Sequence, residues 1–233
     1  MSRVLMLVTA ANSITLADGT AHPTGYWAEE LVTAHRELRN AGVEVTIATP
    51  EGRTPTVDPG SLDPATVGDA TRAAEFARYL DGISAELAHP LAVEDVRIDD
   101  FDAVVLPGGH GPMVDLAFDP NGGATLLAAD DAGVVIAPFC HGPAALLSAT
   151  RQDGSFGFAG RTVAVFTDEE ELSGGLGENT PFLVATSLRE RGAVIDTGAA
   201  WTSHVVRDGN LISGQNPQSS EAVAAAVIAA LAE

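Results

Sequence analysis

A single cysteine, Cys140, stands where a buried segment meets a turn. The run VVIAPF at 134–139 has the composition of a buried strand, and it leads directly into Cys140, His141 and Gly142. A strand that turns sharply into a helix lifts the residue at the turn to the carboxyl end of a sheet, where a nucleophile is accessible. The N-terminus of the following helix would stabilise a thiolate and lower the pKa of the thiol. This setting favours a catalytic Cys140 over the alternative, a small hydrophobic residue of the core.

Glu30 is a carboxylate on the apolar face of a predicted helix. The segment at 25–41 has helical periodicity, and its buried face includes Trp27 and Ala34. Glu30 follows Trp27 by three residues and precedes Ala34 by four, so it shares this face, whereas Glu29 points away. Desolvation raises the pKa of a buried carboxyl, so Glu30 could move protons near neutral pH. The alternative is a glutamate at the helix edge that reaches solvent.

A glycine-rich loop follows the predicted strand at 101–106. Its sequence is PGGHG, with Gly108, Gly109 and His110 at the centre. Consecutive glycines let backbone N–H groups approach a bound oxygen closely, which suits an oxyanion hole or a substrate-binding loop. A plain tight turn is the alternative interpretation.

An acidic run, Asp168 to Glu171, follows the predicted strand at 161–166. One of its carboxylates could orient His141 by accepting a hydrogen bond from the imidazole, as the acid of a catalytic triad does. A charge run is more often a solvated loop, and the run itself does not single out one member.

The elements that must position these residues alternate between short β-branched runs and helical segments. Such alternation predicts an α/β protein with a mostly parallel central sheet covered on both faces. We expect one domain over residues 1–233, with an excursion at about 49–89 that is rich in Pro, Gly and Asp at its start. The predicted strands are 3–9, 43–48, 101–106, 134–139 and 161–166, with a hairpin at Asp208-Gly209. The predicted helices are 25–41 with Thr24 as N-cap, 71–88, 124–132, one from Pro143, one from Pro181 to Arg191 with Thr180 as N-cap, and 219–231. The segment at 168–177 is predicted as a loop.

Composition excludes several classes of function. The 233 residues carry 12 basic residues, all Arg, against 32 acidic ones, for a net charge of −20. Nucleic acid and acidic membrane surfaces are therefore disfavoured as partners, and the absence of lysine removes P-loop and Schiff-base chemistry. One cysteine allows neither an intrachain disulfide nor a CxxC metal site, and no metal site is predicted. No apolar run reaches the ~18 residues of a membrane span. The N-terminal residues lead directly into the predicted strand at 3–9 and lack the layout of a signal peptide. We therefore expect a soluble cytoplasmic protein.

Together these segments resemble the ThiJ/PfpI superfamily, and within it the branch of heat-shock chaperone-like glyoxalase III proteins. The resemblance implies a flavodoxin-like three-layer sandwich with a nucleophile elbow, and a homodimer. It also implies that Glu171 is the acid behind His141, with Asp168 and Glu170 as alternatives. The segments that carry the resemblance are TGYWAEEL at 24–31, DAVVLPGGHGPM at 102–113, PFCHGPAALL at 138–147, FTDEEE at 166–171 with PFLV at 181–184, and GQNPQSS at 214–220.

The activity that this resemblance implies is a glyoxalase without cofactor, metal or glutathione. The Cys140 thiolate would add to the aldehyde of a small dicarbonyl, methylglyoxal or glyoxal, and form a hemithioacetal. Backbone N–H groups of Gly109 and His141 would hold the oxyanion, and Glu171 would position His141. Either Glu30 or His141 would move the proton from C1 to C2, giving lactate or glycolate. Deglycation of arginine and lysine, claimed for relatives, could follow from consumption of free aldehyde.

Functions of other classes share parts of this pattern. A stress-related holding chaperone would need an exposed apolar patch, and a redox sensor would use the same thiol as a sulfinate. A cysteine peptidase of the smaller PfpI kind lacks the excursion at about 49–89, which disfavours that class. A glutamine amidotransferase needs a later His in an H-x-E element, and His204-Val205-Val206 lacks the acid.

Overall fold

The computed structural model describes residues 1–233, which form eleven strands and eight α-helices. The strands are β1 (Arg3–Leu7), β2 (Ser13–Thr15), β3 (Ala21–Pro23), β4 (Glu44–Thr49), β5 (Leu91–Ala92), β6 (Ala103–Leu106), β7 (Val135–Pro138), β8 (Thr162–Val163), β9 (Val194–Ile195), β10 (Val205–Asp208) and β11 (Leu211–Gly214). The helices are α1 (Ala28–Asn40), α2 (Pro64–Val67), α3 (Ala70–Gly82), α4 (Ser84–Ala88), α5 (Pro120–Ala132), α6 (Asp168–Gly174), α7 (Val184–Glu190) and α8 (Ser220–Ala230). None of these helices is long and apolar enough to cross a membrane.

Seven strands form the central sheet in the order β10-β11-β7-β6-β1-β4-β5. All neighbours are parallel except the hairpin β10–β11. The hairpin is present as predicted, but its turn is Gly209–Asn210 rather than Asp208-Gly209, because Asp208 pairs with Leu211 as the last residue of β10. Along β1, Leu5 and Leu7 join one buried core, and Val4 and Met6 join the other. Because side chains alternate across a strand, two separate cores mean that helices cover both faces of the sheet. The predicted flavodoxin-like sandwich with a mostly parallel sheet is confirmed.

The register of the two central strands brings two predicted site loops together. Strand β6 lies parallel to β7, and Leu106 is paired with Pro138. The chain segments that follow, the glycine-rich loop and the cysteine turn, therefore leave the same edge of the sheet side by side. This edge is where ligands bind in open α/β sheets.

The excursion at 49–89 secures the start of α1. The Thr24 hydroxyl donates to Asp58 (2.9 Å), and the N–H of Ala28 donates to the hydroxyl of Ser61 (3.0 Å). Thr24 was predicted as the N-cap, but α1 begins at Ala28 with Trp27 in that position. The excursion thus supplies a capping hydroxyl from a distant part of the chain, which local sequence does not reveal. That residues 1–233 form one domain stays a prediction.

Three further local predictions differ from the structure. The run at 161–166, predicted as a strand, is a strand only at Thr162 and Val163, which pair with β9 in a separate two-stranded sheet. The predicted loop at 168–177 begins with helix α6, whose Thr167 and Glu170 form a reciprocal capping box. The helix predicted from Thr180 begins at Val184 instead. The capping box Thr-x-x-Glu was legible in the sequence, whereas strand pairing depends on the whole fold.

Candidate active site

Cys140 lies at the tip of a strained turn after β7. Its φ angle is 56°, in the left-handed region that costs a residue with a side chain about 1–2 kcal/mol. The turn is held on both sides, because the Cys140 N–H donates to Gly214 and the Cys140 carbonyl accepts from Phe166, each at 2.9 Å. Gly142 must be glycine, since a Cβ there would lie 2.2 Å from the carbonyl oxygen of Leu106. The predicted elbow is present, although the residues after it, Gly142–Ser148, form a 3₁₀ helix rather than an α-helix.

Glu30 is fully buried in the first turn of α1, as the helical spacing predicted. Its Oε2 accepts the N–H of Gly108 at 2.6 Å. Its Oε1 is buried without a conventional hydrogen-bond partner, and the side chain that interacts with the carboxyl is the Cys140 thiol. Burial raises the pKa of Glu30 to about 8. At neutral pH the carboxyl therefore carries a proton beside the sulfur.

His141 links the sulfur to an acid. Its Nδ1 lies 3.4 Å from Sγ of Cys140, and its Nε2 lies 2.6 Å from Oε2 of Glu171. Burial, reinforced by the charge of His110, lowers the pKa of His141, so the imidazole is neutral and able to accept a proton. Burial alone would raise the pKa of Glu171, but hydrogen bonds from His110 and His141 hold it well below its usual range. The structure thus brings Cys140, His141 and Glu171 into the order of a triad.

The thiol differs from the expectation based on the helix N-terminus. Burial and the adjacent Glu30 carboxylate raise the pKa of Cys140, and the N–H groups of Gly109 and His141 only partly oppose them. The charge of Glu30 disappears when that carboxyl is protonated. A reactive thiolate at this position therefore needs His141 to take the thiol proton.

The glycine-rich loop divides its backbone donors between two groups. The N–H of Gly109 faces the Cys140 sulfur, as does that of His141. The N–H of Gly108, predicted as part of the oxyanion loop, is instead occupied by Glu30. Gly108 keeps the loop close to the elbow, because a Cβ there would lie 2.6 Å from the backbone nitrogen of His141.

The side chain of His110 has a position that sequence reasoning missed. Its Nε2 lies 3.1 and 3.2 Å from the two oxygens of Glu171. Its ring lies 4.3 Å from the ring of His141, centroid to centroid. One carboxylate therefore serves two imidazoles. The motif placed His110 in the loop, but no local pattern indicated where its ring points.

The other two acidic candidates do not reach His141. Asp168 accepts from the Thr186 hydroxyl at 2.7 Å. Glu170 is fully buried, and its Oε1 accepts from the Trp201 N–H and from the side chains of Gln215 and Asn216, at 2.7–3.1 Å. Glu170 thus anchors the helix that carries Glu171. The closing segment GQNPQSS, singled out in the sequence, contributes Gln215 and Asn216 to this anchor.

Three side chains that can bind a metal ion lie close together, although the sequence holds no metal-binding motif. One donor atom each from His110, His141 and Glu171 lies within 4.8 Å of the other two. The large surface depression of about 960 Å³ beside α5 contains none of these residues. The chemistry is therefore concentrated at the carboxyl edge of the sheet.

Comparisons with known proteins concern the family and the fold of the whole chain. A sequence profile described as ThiJ/PfpI family-like matches residues 22–173. The protein/nucleic acid deglycase HchA of Pseudomonas aeruginosa is 27% identical over 230 residues, which cover 94% of this chain and 77% of that protein. The 24-kDa rapid encystment protein of Francisella tularensis superposes with a TM-score of 0.86 at 28% identity, over 99% of both chains. Glyoxalase III of Candida albicans superposes with a TM-score of 0.82 over 98% of this chain and 97% of that one, and at 24% identity this likeness shows the fold alone.

Proposed function

Because this chain belongs to the ThiJ/PfpI family, we propose that it is a glutathione-independent glyoxalase acting through Cys140. Methylglyoxal or glyoxal would be converted into lactate or glycolate. The observation that carries the proposal is the Cys140 sulfur between a protonated Glu30 and a neutral His141, with two backbone N–H groups directed at it. The name of a similar protein, the protein/nucleic acid deglycase of P. aeruginosa, supports chemistry on carbonyl-derived groups.

The first step is formation of the thiolate and its addition to the aldehyde. His141 takes the thiol proton on Nδ1, and Glu171 stabilises the resulting imidazolium through Nε2–H. The sulfur then forms a bond to C1, and the carbonyl electron pair moves to oxygen. The backbone N–H groups of Gly109 and His141 lie next to the sulfur, where they can donate hydrogen bonds to that oxyanion. Return of the proton from His141 gives a neutral hemithioacetal.

The second step moves a proton from C1 to C2. After the sulfur has lost its negative charge, Glu30 is the carboxyl that faces the adduct, and its free Oε1 can exchange a proton. A carboxyl with a pKa of about 8 can both release and regain a proton near neutral pH. As a carboxylate it removes the C1 proton, which leaves an enediolate with its charge on the C2 oxygen. The hydroxyl proton then passes from the C1 oxygen to the C2 oxygen, and Glu30 delivers its own proton to the C2 carbon. The product is a thioester of Cys140, and water cleaves it to the hydroxy acid and the free thiol.

Deglycation of proteins or nucleic acids is a second candidate, because the P. aeruginosa relative is named for it. Its chemistry would be the same attack of Cys140 on a carbonyl-derived carbon. We further expect a homodimer in the cytoplasm. Both expectations stay predictions.

The test is proton NMR of methylglyoxal incubated with the purified protein in D₂O without added thiol. Lactate from the wild type but not from Cys140→Ala supports the proposal, and deuterium at C2 of lactate supports an enediolate over an intramolecular hydride shift. His204→Gln is a matched control at a histidine outside the site, paired with Asp196. Lactate from Cys140→Ala would remove the cysteine from the mechanism. Absence of lactate from the wild type would refute the glyoxalase and favour a holding chaperone or redox sensor.

A further inference from the structure

His110, His141 and Glu171 come from three separate segments of the chain and converge beside the thiol. Two imidazole nitrogens and one carboxylate are a donor set that Zn²⁺ and other divalent first-row ions accept. We propose that these three side chains form a binding site for such an ion, with Zn²⁺ as the reference, and that the bound ion reversibly inhibits the thiol chemistry. The site would regulate the reaction and take no part in it.

The distances are close to those of a coordinated ion. Donor atoms bound to Zn²⁺ at about 2.0–2.2 Å in a tetrahedron lie roughly 3.3–3.6 Å from one another. The Nε2 of His110 already lies 3.1 and 3.2 Å from the two Glu171 oxygens. The Nε2 of His141, 2.6 Å from Oε2, would need to move by about 0.7–1 Å to reach that separation. The imidazole donors of His110 and His141 lie within 4.8 Å of each other.

Two of the three metal-binding side chains, Glu171 and His141, have a second contact that would hold them in place. Oε1 of Glu171 accepts the N–H of Leu176 at 2.6 Å. The Nδ1 of His141, the nitrogen that does not face Glu171, contacts Sγ of Cys140. Metal-binding histidines and carboxylates are commonly fixed by such second hydrogen bonds. Water can complete the coordination, since three protein ligands leave one tetrahedral position open.

His110 provides the route of entry. Its side chain is 12% exposed, whereas those of His141 and Glu171 are each 3% exposed. An ion arriving from solvent would meet His110 first and the buried pair afterwards. Removal of His110 should therefore affect the capture of the ion as well as its retention.

Coordination would change what His141 can do. In the metal-free arrangement the Nε2–H donates to Glu171 and Nδ1 keeps a lone pair for the thiol proton. An ion on Nε2 takes the lone pair of Nε2 itself, so the ring proton resides on Nδ1 and points at the sulfur. His141 is then a fixed donor and no longer a base. Binding of the ion only moves the ring proton of His141 from Nε2 to Nδ1 and involves no redox change. Removal of the ion by a chelator therefore restores the metal-free arrangement.

Binding is tested with the metal ion alone. We expect calorimetric titration of Zn²⁺ into the purified wild type and the His204→Gln control to give one ion per chain. His110→Ala and His110→Gln should each weaken the affinity by more than about 100-fold, because a lost ligand exceeds the effect of a lost outer contact. Co²⁺ should give visible ligand-field bands without a thiolate-to-cobalt charge-transfer band. Equal affinity in the His110 variants, or a charge-transfer band that identifies Cys140 as a ligand, would overturn the assignment.

Inhibition, unlike binding, rests on the proposed function. Zn²⁺ at saturating concentration should abolish lactate formation by the wild type, and EDTA should restore it. Full activity of the zinc-saturated protein would overturn the regulatory role even if the ion binds. A wild type without activity under any condition would instead refute the glyoxalase, and the calorimetric result would still decide the metal site.

Discussion

Replacing Glu30 by Gln is expected to change how the stability of the protein depends on pH. In the wild type the buried carboxyl binds its proton more tightly than an exposed one, with a pKa of about 8 against an ordinary value of 4.5. Below the ordinary value the folded and unfolded chains both carry the proton, and its stabilising effect is fully present. Between the two values only the folded chain holds the proton, so the free energy of unfolding falls as pH rises. Above about 8 both states are ionised and the loss is complete.

The size of the loss follows from the two pKa values. At about 1.4 kcal/mol for each tenfold change in a proton equilibrium, the difference corresponds to a loss on the order of 5 kcal/mol across this range. Gln cannot ionise, and its amide oxygen can still accept the N–H of Gly108. Glu30→Gln should therefore lack this loss and be the more stable protein at alkaline pH.

Urea unfolding at a series of pH values measures the effect, and the wild type is compared with Glu30→Gln at each pH. The pKa shifts of His141 and Glu171 are common to both proteins and cancel in the difference. The raised pKa of Cys140 depends in part on Glu30 and adds to the difference at alkaline pH. Glu37→Gln, on the same helix but half exposed beside Arg36, is the matched control. Infrared spectra should show a protonated carboxyl band that disappears near the same pH in the wild type alone. A stability difference between wild type and Glu30→Gln that stays constant with pH would refute the assignment.

Two other substitutions test the supports of the site, and a third, Gly82→Ala, tests the stability of α3 away from it. Gly175→Ala would place a Cβ 2.3 Å from Oε1 of Glu171, and because a displacement of about 1 Å can cost 100-fold in rate, we expect a loss of about that size in lactate formation. Gly82→Ala adds a methyl group with no atom within 4 Å, so urea unfolding should show a gain of about 0.5–1 kcal/mol with unchanged activity. Glu170→Ala removes the acceptor of three buried donors and should cost about 3 kcal/mol or more, with a changed near-ultraviolet signal from Trp201. Wild-type activity in Gly175→Ala, or wild-type stability in Glu170→Ala, would contradict these roles.

Local patterns were sufficient for much of the framework. The strand before Cys140 and the helix containing Glu30 were both read from periodicity, and both lie within a few residues of the predicted bounds. Of the run at 161–166 only Thr162 and Val163 form a strand, because an apolar composition indicates a buried segment but not how much of it pairs with another strand. The helix α6 was missed although its capping box was present, because the acidic residues were interpreted as a solvated loop.

The sequence by itself determined the candidate reacting groups, since a lone cysteine at a strand end and a carboxylate on an apolar helix face are properties of composition and spacing. It also determined the class of fold, through the alternation of strands and helices. Residue types and spacing left Asp168, Glu170 and Glu171 open, and only the family resemblance pointed to Glu171. The tertiary structure decided that Glu171 reaches His141 and that Glu170 does not, because the two acids lie on different sides of one short helix. It decided as well that His110 shares that carboxylate and that the thiol pKa is raised. The physical reason is that desolvation and hydrogen bonding depend on which distant segments pack around a group, and no local pattern contains that information.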